Sequence, residues 1–443
     1  MAEDFTRRRL LQSAALASAG AFGLTGCGSY LATGFAGSRP PPRTVTYWDL
    51  FTGGDGGRMG EMEDAFRKRR PEIDLRTATF LWGDPYYTKL SLAILGDQPP
   101  DLAVSHATRV TGYARADLLQ PLAADDLARH GLTADRFSRA AWEASHVDGT
   151  LYAIPLDTHP WVLYYNTEIC ERAGLLDSDG ILTSLDGPDE FADAMHRVKE
   201  ATGGWGGMLA ININTPSTFR FFYTLYSQLG GQLLADEGRR VVLDEEKAVR
   251  ALSYGRRLTV EEGLMPADVD YEGAVALFAS GKAGFYIQGE WEVTTFTEAK
   301  LPFSMVPFPN VFGGPYVVEA DSHAFVLPRF RNPDPRRTDA ALTVARGLLD
   351  ESLTWAEGGH VPVWQPVQRS EAYRSLDPQS NYAAAVDNAV YHPPAWYSGS
   401  GSLLEIHVGS AVASVLAGQA TPEAAVARMG RALQRLAETP SPL

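Results

Sequence analysis

The strongest constraint on the fold is an alternation of strand and helix patterns that begins at residue 44. Apolar, β-branched runs predict buried strands, and short Gly- and Pro-containing turns separate them from amphipathic stretches. Strands are predicted at 44–48, 73–80 and 102–104, and helices at about 59–69 and 86–95. Alternation with such short connections predicts an α/β lobe with a mostly parallel sheet.

The same alternation resumes near residue 156, which predicts a second lobe. The chain has 443 residues, enough for two lobes with separate cores. Beyond residue 400 the pattern becomes helical, and Thr421-Pro422 predicts the capped start of a last helix.

The N-terminal segment resembles a bacterial export signal followed by a lipid-attachment motif. Three arginines at 7–9 precede a short, Ala- and Gly-rich apolar run, and the tetrapeptide at 24–27 ends at Cys27. The run is too short to span a bilayer well. The resemblance implies a twin-arginine lipoprotein signal peptide at 1–26, lipidation of Cys27 and a Gly-, Ser- and Pro-rich tether at 27–43. An anchor helix with an incidental cysteine is the alternative.

Charge and cysteine content exclude several classes of ligand and site. The formal net charge is −15, and because residues 1–26 carry +1, the remainder carries −16. Such a surface repels nucleic acid and anionic membrane and favours neutral ligands. Cys170 has no partner if Cys27 carries lipid, so we expect it to be a buried free thiol in a fold without disulfides.

Sequence motifs for catalysis, metals and cofactors are absent. No phosphate-binding loop, zinc-protease motif or nucleophile elbow occurs. The segment at 268–273 begins like a calcium loop, but Ala279 stands where a bidentate carboxylate is required. The nine histidines are scattered and show no ligand spacing. We therefore predict no cofactor, no metal site and no catalytic residues.

Three segments, at 149–166, 276–291 and 358–363, resemble the extracellular solute-binding proteins of sugar ABC transporters, in the same order along the chain. The resemblance implies an α/β, two-lobed periplasmic-binding-protein fold (type II-like), with a ligand cleft between lobes joined by hinge strands. The implied N-terminal lobe is 44–155 plus about 302–350. The implied C-terminal lobe is 156–301 plus about 351–443.

Sugar recognition requires aromatic planes for the C–H faces of the ring and polar groups for its hydroxyls. Residues of both types follow the predicted strands at the cleft. In the first lobe the candidates are Asp49, Phe51, Thr52, Ser105 and His106. In the second they are Asp157, His159, Trp161, Gly289, Glu290 and Trp291, with His360, Trp364, Trp396 and Tyr397 closing the site. By resemblance, His159, Trp291 and the segment 215–217, including Ser217, correspond to sugar-contacting positions.

Several candidates have a structural alternative. Trp291 could be a stacking platform or could pack within its lobe, and Asp157 could serve a hinge hydrogen bond. Trp142 and Trp355 lie on predicted helices and are interpreted as packing residues. Trp205, in a Gly-rich loop, could reach the cleft.

The predicted function is capture of an oligosaccharide, disaccharide or amino sugar by a monomeric lipoprotein on the extracytoplasmic face of the cell membrane, with delivery to ABC permease subunits. One alternative is a binder of a glycerol-phosphate-type or other polyol ligand. The loop at 395–402 lacks the arginine that glycerophosphodiester binders use there, which weakens this alternative. An exported glycoside hydrolase and a surface scaffold without a small ligand are further alternatives.

Overall fold

Strands and helices alternate through the computed structural model, which describes residues 43–441. The predicted signal peptide, most of the tether and Cys27 lie outside the described residues. The strands are β1 Thr44–Asp49, β2 Asp74–Thr79, β3 Leu102–His106, β4 His146–Val147, β5 Thr150–Leu151, β6 Ala153–Pro155, β7 Asp157–Asn166, β8 Trp205–Met208, β9 Leu234–Ala235, β10 Arg240–Val241, β11 Ala283–Gly289, β12 Phe303–Pro307, β13 Val318–Asp321, β14 His323–Val326, β15 Val361–Pro362 and β16 Ala389–Val390.

The helices surround the two larger sheets. They are α1 Gly53–Arg69, α2 Asp84–Leu95, α3 Ala107–Arg115, α4 Ala124–Arg129, α5 Arg139–Ala144, α6 Thr167–Arg172, α7 Pro188–Thr202, α8 Thr215–Gln228, α9 Glu245–Arg256, α10 Tyr271–Ala279, α11 Val293–Glu298, α12 Pro335–Asp350, α13 Ser352–Glu357, α14 Gln365–Gln368, α15 Glu371–Arg374, α16 Gln379–Tyr382, α17 Leu403–Leu416 and α18 Pro422–Glu438. Within the described residues, none combines the length and the apolar character needed to cross a membrane.

The first sheet has the strand order β2-β1-β3-β14-β6 and forms the N-lobe. Strands β2, β1 and β3 are parallel, as predicted, whereas β14 is antiparallel to β3 and β6. The first helix begins at Gly53, earlier than predicted, because the glycine-rich turn closes a helical hydrogen bond from Gly56 N to Thr52 O.

The second sheet has the order β16-β13-β7-β11-β8 and forms the C-lobe. Its centre is β7, which pairs antiparallel with β11, β12, β13 and β15 and is buried along its whole length. Alternate residues of β7 face opposite sides: Leu163 and Tyr165 enter one apolar cluster, and Val162 and Tyr164 enter another. The C-lobe sheet is therefore covered on both faces, and the expectation of a parallel arrangement is wrong around β7.

Three passages of the chain between the lobes lie close together. It leaves the N-lobe between β6 and β7 at Leu156, and it returns between β13 and β14 at Ser322. Helix α13 places Trp355 in the N-lobe core, after which β15 pairs with the start of β7. These crossings bring residues from distant parts of the sequence to one place.

The sheet pairing moves two of the predicted lobe boundaries. Strands β12 and β13 belong to the C-lobe sheet because they pair with β7, so the return to the N-lobe comes at β14 and not at about residue 302. The N-lobe core also includes Val363 and Trp364, beyond the predicted boundary at 350. Cys170 is a buried free thiol, as predicted, and burial raises its pKa to about 12.

Candidate functional site

The three crossings meet at the carboxylate of Asp157, which is fully buried. Oδ1 accepts the backbone N–H of His323 at 2.7 Å and the Nδ1–H of His159 at 3.2 Å. Oδ2 accepts Nδ1–H of His323 at 2.8 Å and Nε1–H of Trp355 at 2.6 Å. One carboxylate therefore joins the first crossing to the second and to α13.

Asp157 stays ionised despite its burial. Burial alone would raise its pKa, but the nearby His323 and His360 imidazoles and the donated hydrogen bonds outweigh burial and hold the pKa well below its usual value. Burial by itself would lower the pKa of His360. The negative charges of Asp55 and Asp157 have the larger effect and hold the pKa of His360 well above its usual value. His360 Nε2 lies 3.1 Å from Asp55 Oδ1, and its Nδ1 lies 3.2 Å from Asp157 Oδ2.

Four imidazoles lie around this carboxylate, and we call them the histidine cluster: His106, His159, His323 and His360. The ring centroids of His159 and His323 are 4.3 Å apart, and those of His106 and His323 are 4.7 Å apart. Burial and the neighbouring imidazole of His323 lower the pKa of His159 to about 3, so His159 is neutral. The scattered histidines of the sequence thus become neighbours in space.

Glu290 forms one wall of the cluster. Its Oε1 lies 3.1 Å from His360 Nδ1, yet no residue within 43–441 donates to either carboxylate oxygen with hydrogen-bond geometry. Burial raises the pKa of Glu290 to about 7. Gly359 is required beside it, because a Cβ there would lie 2.2 Å from the carbonyl oxygen of Glu290.

Trp291 is half-buried, packs against the C-lobe core and is held in one orientation. Its Nε1–H donates to the hydroxyl of Tyr271 at 2.7 Å, and its ring meets the ring of His159 edge-on at 6.0 Å between centroids. Gly289 allows this position, because a Cβ there would lie 1.8 Å from the indole ring. The indole is thus pre-oriented, as an aromatic binding platform requires.

The guanidinium of Arg220 lies over the ring of Trp291, 5.0 Å from the centroid. It comes from α8, whose N-terminus is capped by Asn214. Arg220 Nε is 3.6 Å from Glu319 and 4.0 Å from Glu405, and it forms no hydrogen bond with a residue of the described range. A buried cation whose Nε–H has no hydrogen-bond acceptor therefore lies beside the indole of Trp291.

The two lobes contact each other on both sides of these residues. From the N-lobe, Arg109 donates to the carbonyl oxygens of Ser400 at 2.7 Å and Gly401 at 2.6 Å. On the other side, Arg58 Nε donates to Thr294 Oγ1 at 3.4 Å. The histidine cluster, Glu290, Trp291 and Arg220 therefore lie at the interface between the lobes, and we call them together the interlobe site.

The structure brings most of the predicted residues to this place. Those in the interlobe site or in contact with it are Phe51, Ser105, His106, Asp157, His159, Trp161, Gly289, Glu290, Trp291 and His360. Ser217 lies outside the interlobe site, and its Oγ is 3.5 Å from the Nε2 of Gln288, the residue before Gly289. Asp157 makes hydrogen bonds to His323 and Trp355 where the chain passes between the lobes, and its contact with a ligand stays a prediction.

Five predicted residues lie elsewhere. Asp49 accepts hydrogen bonds from Phe51 N and Thr79 within the N-lobe, and Thr52 is exposed at the start of α1. Trp364 is fully buried in the N-lobe core, where Phe137 and two arginines cover it.

The late aromatic residues belong to the outer part of the C-lobe. Trp396 donates to the carbonyl of Thr439 at 3.2 Å, and Tyr397 donates to that of Gly238 at 2.6 Å. Trp205, the loop residue considered for the cleft, packs on the C-lobe beside Lys199. Chain position after a strand therefore did not suffice to place a side chain at the interface.

Sequence reasoning missed several residues of the site. His323 follows the second crossing, Arg220 lies inside a helix, and Trp355 was interpreted as a packing residue only. Trp355 does pack in the N-lobe, but it also stacks on His360 at 4.2 Å and donates to Asp157. The only local signal was the polar triplet 321–323 between two apolar runs.

Two groups of side chains have the composition and proximity of metal ligands. One consists of Asp157, His159, His323 and His360, and the other of His106, His159 and Asp321. Within each group, one potential ligand atom per residue lies within 4.8 Å of the others. Hydrogen bonds of His159 and His323 to the Asp157 carboxylate account for most of the first group.

Residues 51–329 match the family model described as bacterial extracellular solute-binding protein. Among curated proteins, the chain is 24% identical over 242 residues to the maltodextrin-binding protein MdxE of Bacillus subtilis, covering 53% of this chain and 54% of that protein. It is 25% identical over 254 residues to an arabinooligosaccharide-binding protein of the same organism, covering 55% of this chain and 53% of that protein. The chain thus matches about half the length of these curated relatives.

Solved structures match nearly the whole described chain. The GacH receptor of Streptomyces glaucescens superposes with a TM-score of 0.75 at 20% identity, covering 89% of this chain and 98% of that one. Maltose-bound MalE3 of T. maritima gives a TM-score of 0.74 at 19% identity, covering 89% of this chain and 99% of that one. These similarities confirm the predicted two-lobed fold.

We predict that Asp157→Ala lowers the free energy of unfolding by about 3–5 kcal/mol. The substitution leaves the buried donors of His159, His323 and Trp355 without their acceptor. Urea denaturation measures the loss.

The matched control for this prediction is Asp64→Ala, which removes an exposed carboxylate that pairs with Arg67 at 3.0 Å. An exposed pair contributes at most about 1 kcal/mol. Equal, small losses for the two variants would contradict a central role for Asp157.

Proposed function

We propose that this chain, which belongs to the bacterial extracellular solute-binding protein family, captures a sugar between its lobes and delivers it to the permease of an ABC importer. The observation that carries the proposal is the interlobe site itself. There the oriented indole of Trp291 lies beside the Nε–H of Arg220 and the carboxylate oxygens of Glu290, which form no hydrogen bonds within the described residues.

This combination suits the chemistry of a sugar ring. The apolar C–H face stacks on an indole, and the ring hydroxyls both donate and accept hydrogen bonds. Glu290 supplies acceptors and Arg220 supplies donors, and both are buried, where an unpaired polar group is costly. A ligand that contacts both lobes favours the closed arrangement, because only that arrangement makes both sets of contacts.

The matched relatives support the sugar class. They include proteins named for maltodextrin, arabinooligosaccharide and galactooligosaccharide binding, and the GacH receptor was solved with acarbose. The acidic groups at the interface, Asp157, Glu290 and Asp321, favour a neutral or amino-substituted sugar over an anionic one.

The proposal is tested by calorimetry against a panel of oligosaccharides, disaccharides, amino sugars and glycerol 3-phosphate. We expect at least one sugar to bind, and Trp291→Ala to weaken its binding by about 1–3 kcal/mol because the stacking surface is lost. Cells lacking the protein should then lose uptake of that sugar.

The control for the calorimetry is Trp396→Ala, which removes an indole of the outer C-lobe and should leave sugar affinity unchanged. No binding by any sugar would contradict the proposed function. Unchanged affinity in a folded Trp291→Ala protein would assign that indole to packing.

We also propose that the chain performs no hydrolysis of the sugar. Glycosidases need two carboxyl groups about 5–10 Å apart around the scissile bond, one with a raised pKa. Glu290 has such a pKa, so the test is prolonged incubation with oligosaccharides and assay of reducing ends. We expect no product, and product formation that Glu290→Gln abolishes would show an enzyme instead.

The sequence near Cys27 supports attachment of the protein to the membrane by a lipid. We expect Cys27→Ala to abolish incorporation of a labelled fatty acid in cells and to release the protein from the membrane fraction. Cys170→Ala is the matched control, because Cys170 is buried in the C-lobe core and should not affect labelling. Label retained by Cys27→Ala would contradict the proposed anchor.

A further inference from the structure

We propose that His106, His159 and Asp321 form a site for a divalent transition-metal ion of the zinc type at the junction of the two lobes. Two of these residues, His106 and His159, belong to the interlobe site, but the inference does not require that the ligand captured there is a sugar. The sequence indicated no metal site, because the three ligands come from three separate segments.

The donor set and its proximity are those of a transition-metal site. One potential ligand atom from each residue lies within 4.8 Å of the other two, and the residues are 1%, 2% and 0% exposed, respectively. In a tetrahedral zinc site with bonds of about 2.1 Å, ligand atoms are about 3.4 Å apart. Small side-chain movements would therefore bring the three ligands to bonding distance.

Each imidazole is oriented by a partner on its other nitrogen. His159 Nδ1 donates to Asp157 Oδ1 at 3.2 Å, so its Nε2 carries the free lone pair. His106 Nδ1 lies 2.6 Å from the hydroxyl of Tyr87. Ligating histidines characteristically hold a carboxylate or other acceptor on the second nitrogen.

Asp321 retains acceptor capacity for a cation. Its Oδ1 accepts the backbone N–H of Ser322 at 2.8 Å, and its Oδ2 accepts the hydroxyl of Thr108 at 2.5 Å. Oδ1 also accepts the backbone N–H of Thr108 at 3.3 Å. A carboxylate oxygen has two lone pairs, so Oδ2 keeps one for a metal. The hydrogen bonds also hold the carboxylate beside β7, where Asp321 is the register partner of His159.

The site would link the two lobes. His106 ends β3 of the N-lobe, whereas His159 and Asp321 belong to β7 and β13 of the C-lobe. A bound ion would therefore stabilise the arrangement in which the lobes are in contact. Three protein ligands leave a fourth position, which water or a hydroxyl of a captured ligand can fill.

The test uses the whole protein without an affinity tag, stripped with a chelator and titrated with Co²⁺. We expect visible d–d absorption that saturates with one ion at this site, displacement by Zn²⁺ and a raised melting temperature. His106→Gln and His159→Gln should each weaken Co²⁺ binding at least about 10-fold. His196→Gln, which alters an exposed histidine paired with Glu262, should not.

A milder variant keeps the test usable if the histidine variants do not fold. Tyr87→Phe keeps the ring and removes only the hydroxyl beside His106, and we expect about 10-fold weaker Co²⁺ binding from a folded protein. Absence of d–d absorption, or equal Co²⁺ affinity in the wild type, His106→Gln and His159→Gln, would overturn the inference. Sugar titrations with excess chelator show whether sugar capture stands without the metal.

Discussion

The structure depends on one buried carboxylate. Asp157 opens the longest strand of the C-lobe and accepts hydrogen bonds from the returning crossing and from an indole anchored in the N-lobe. A buried ion costs several kcal/mol unless partners compensate it, so these donors are as necessary to Asp157 as it is to them. The hinge is therefore a network of hydrogen bonds in which each polar group is fixed by its partners. Such a network gives the hinge a well-defined geometry.

The interlobe site is built outward from this network. His360 carries a proton because Asp55 and Asp157 face it, and His159 is neutral because burial and His323 oppose a charge. Beyond them, Trp291 and Arg220 are held by Tyr271, Glu319 and Glu405. The carboxylate oxygens of Glu290 and the Nε of Arg220 form no hydrogen bonds within the described residues. They lie between the lobes, where a polar ligand would supply the missing partners.

The parts of the fold that depend on local pattern were predictable. The first strands begin and end within a few residues of their predicted limits, and Cys170 is buried as expected. The boundary that the resemblance implied, at about residue 302, placed strands β12 and β13 in the wrong lobe. Both lobes use the same apolar alternation, so the local pattern does not correct it. Trp364 and Trp396 show that local pattern also fails to place individual side chains. Both look like cleft residues in the sequence, but one fills the N-lobe core and the other lies on the outer C-lobe.

What the sequence by itself determined is the class of the chain: alternating strands and helices, an acidic surface and a set of polar residues at the ends of strands. Periodicity and charge are local or additive properties, so they can be obtained from residue order. Only the tertiary structure decided which of the scattered histidines become neighbours and which tryptophan lies between the lobes. The contact of His323 with Asp157 joins residues 166 positions apart, and no local pattern encodes a pairing over that distance.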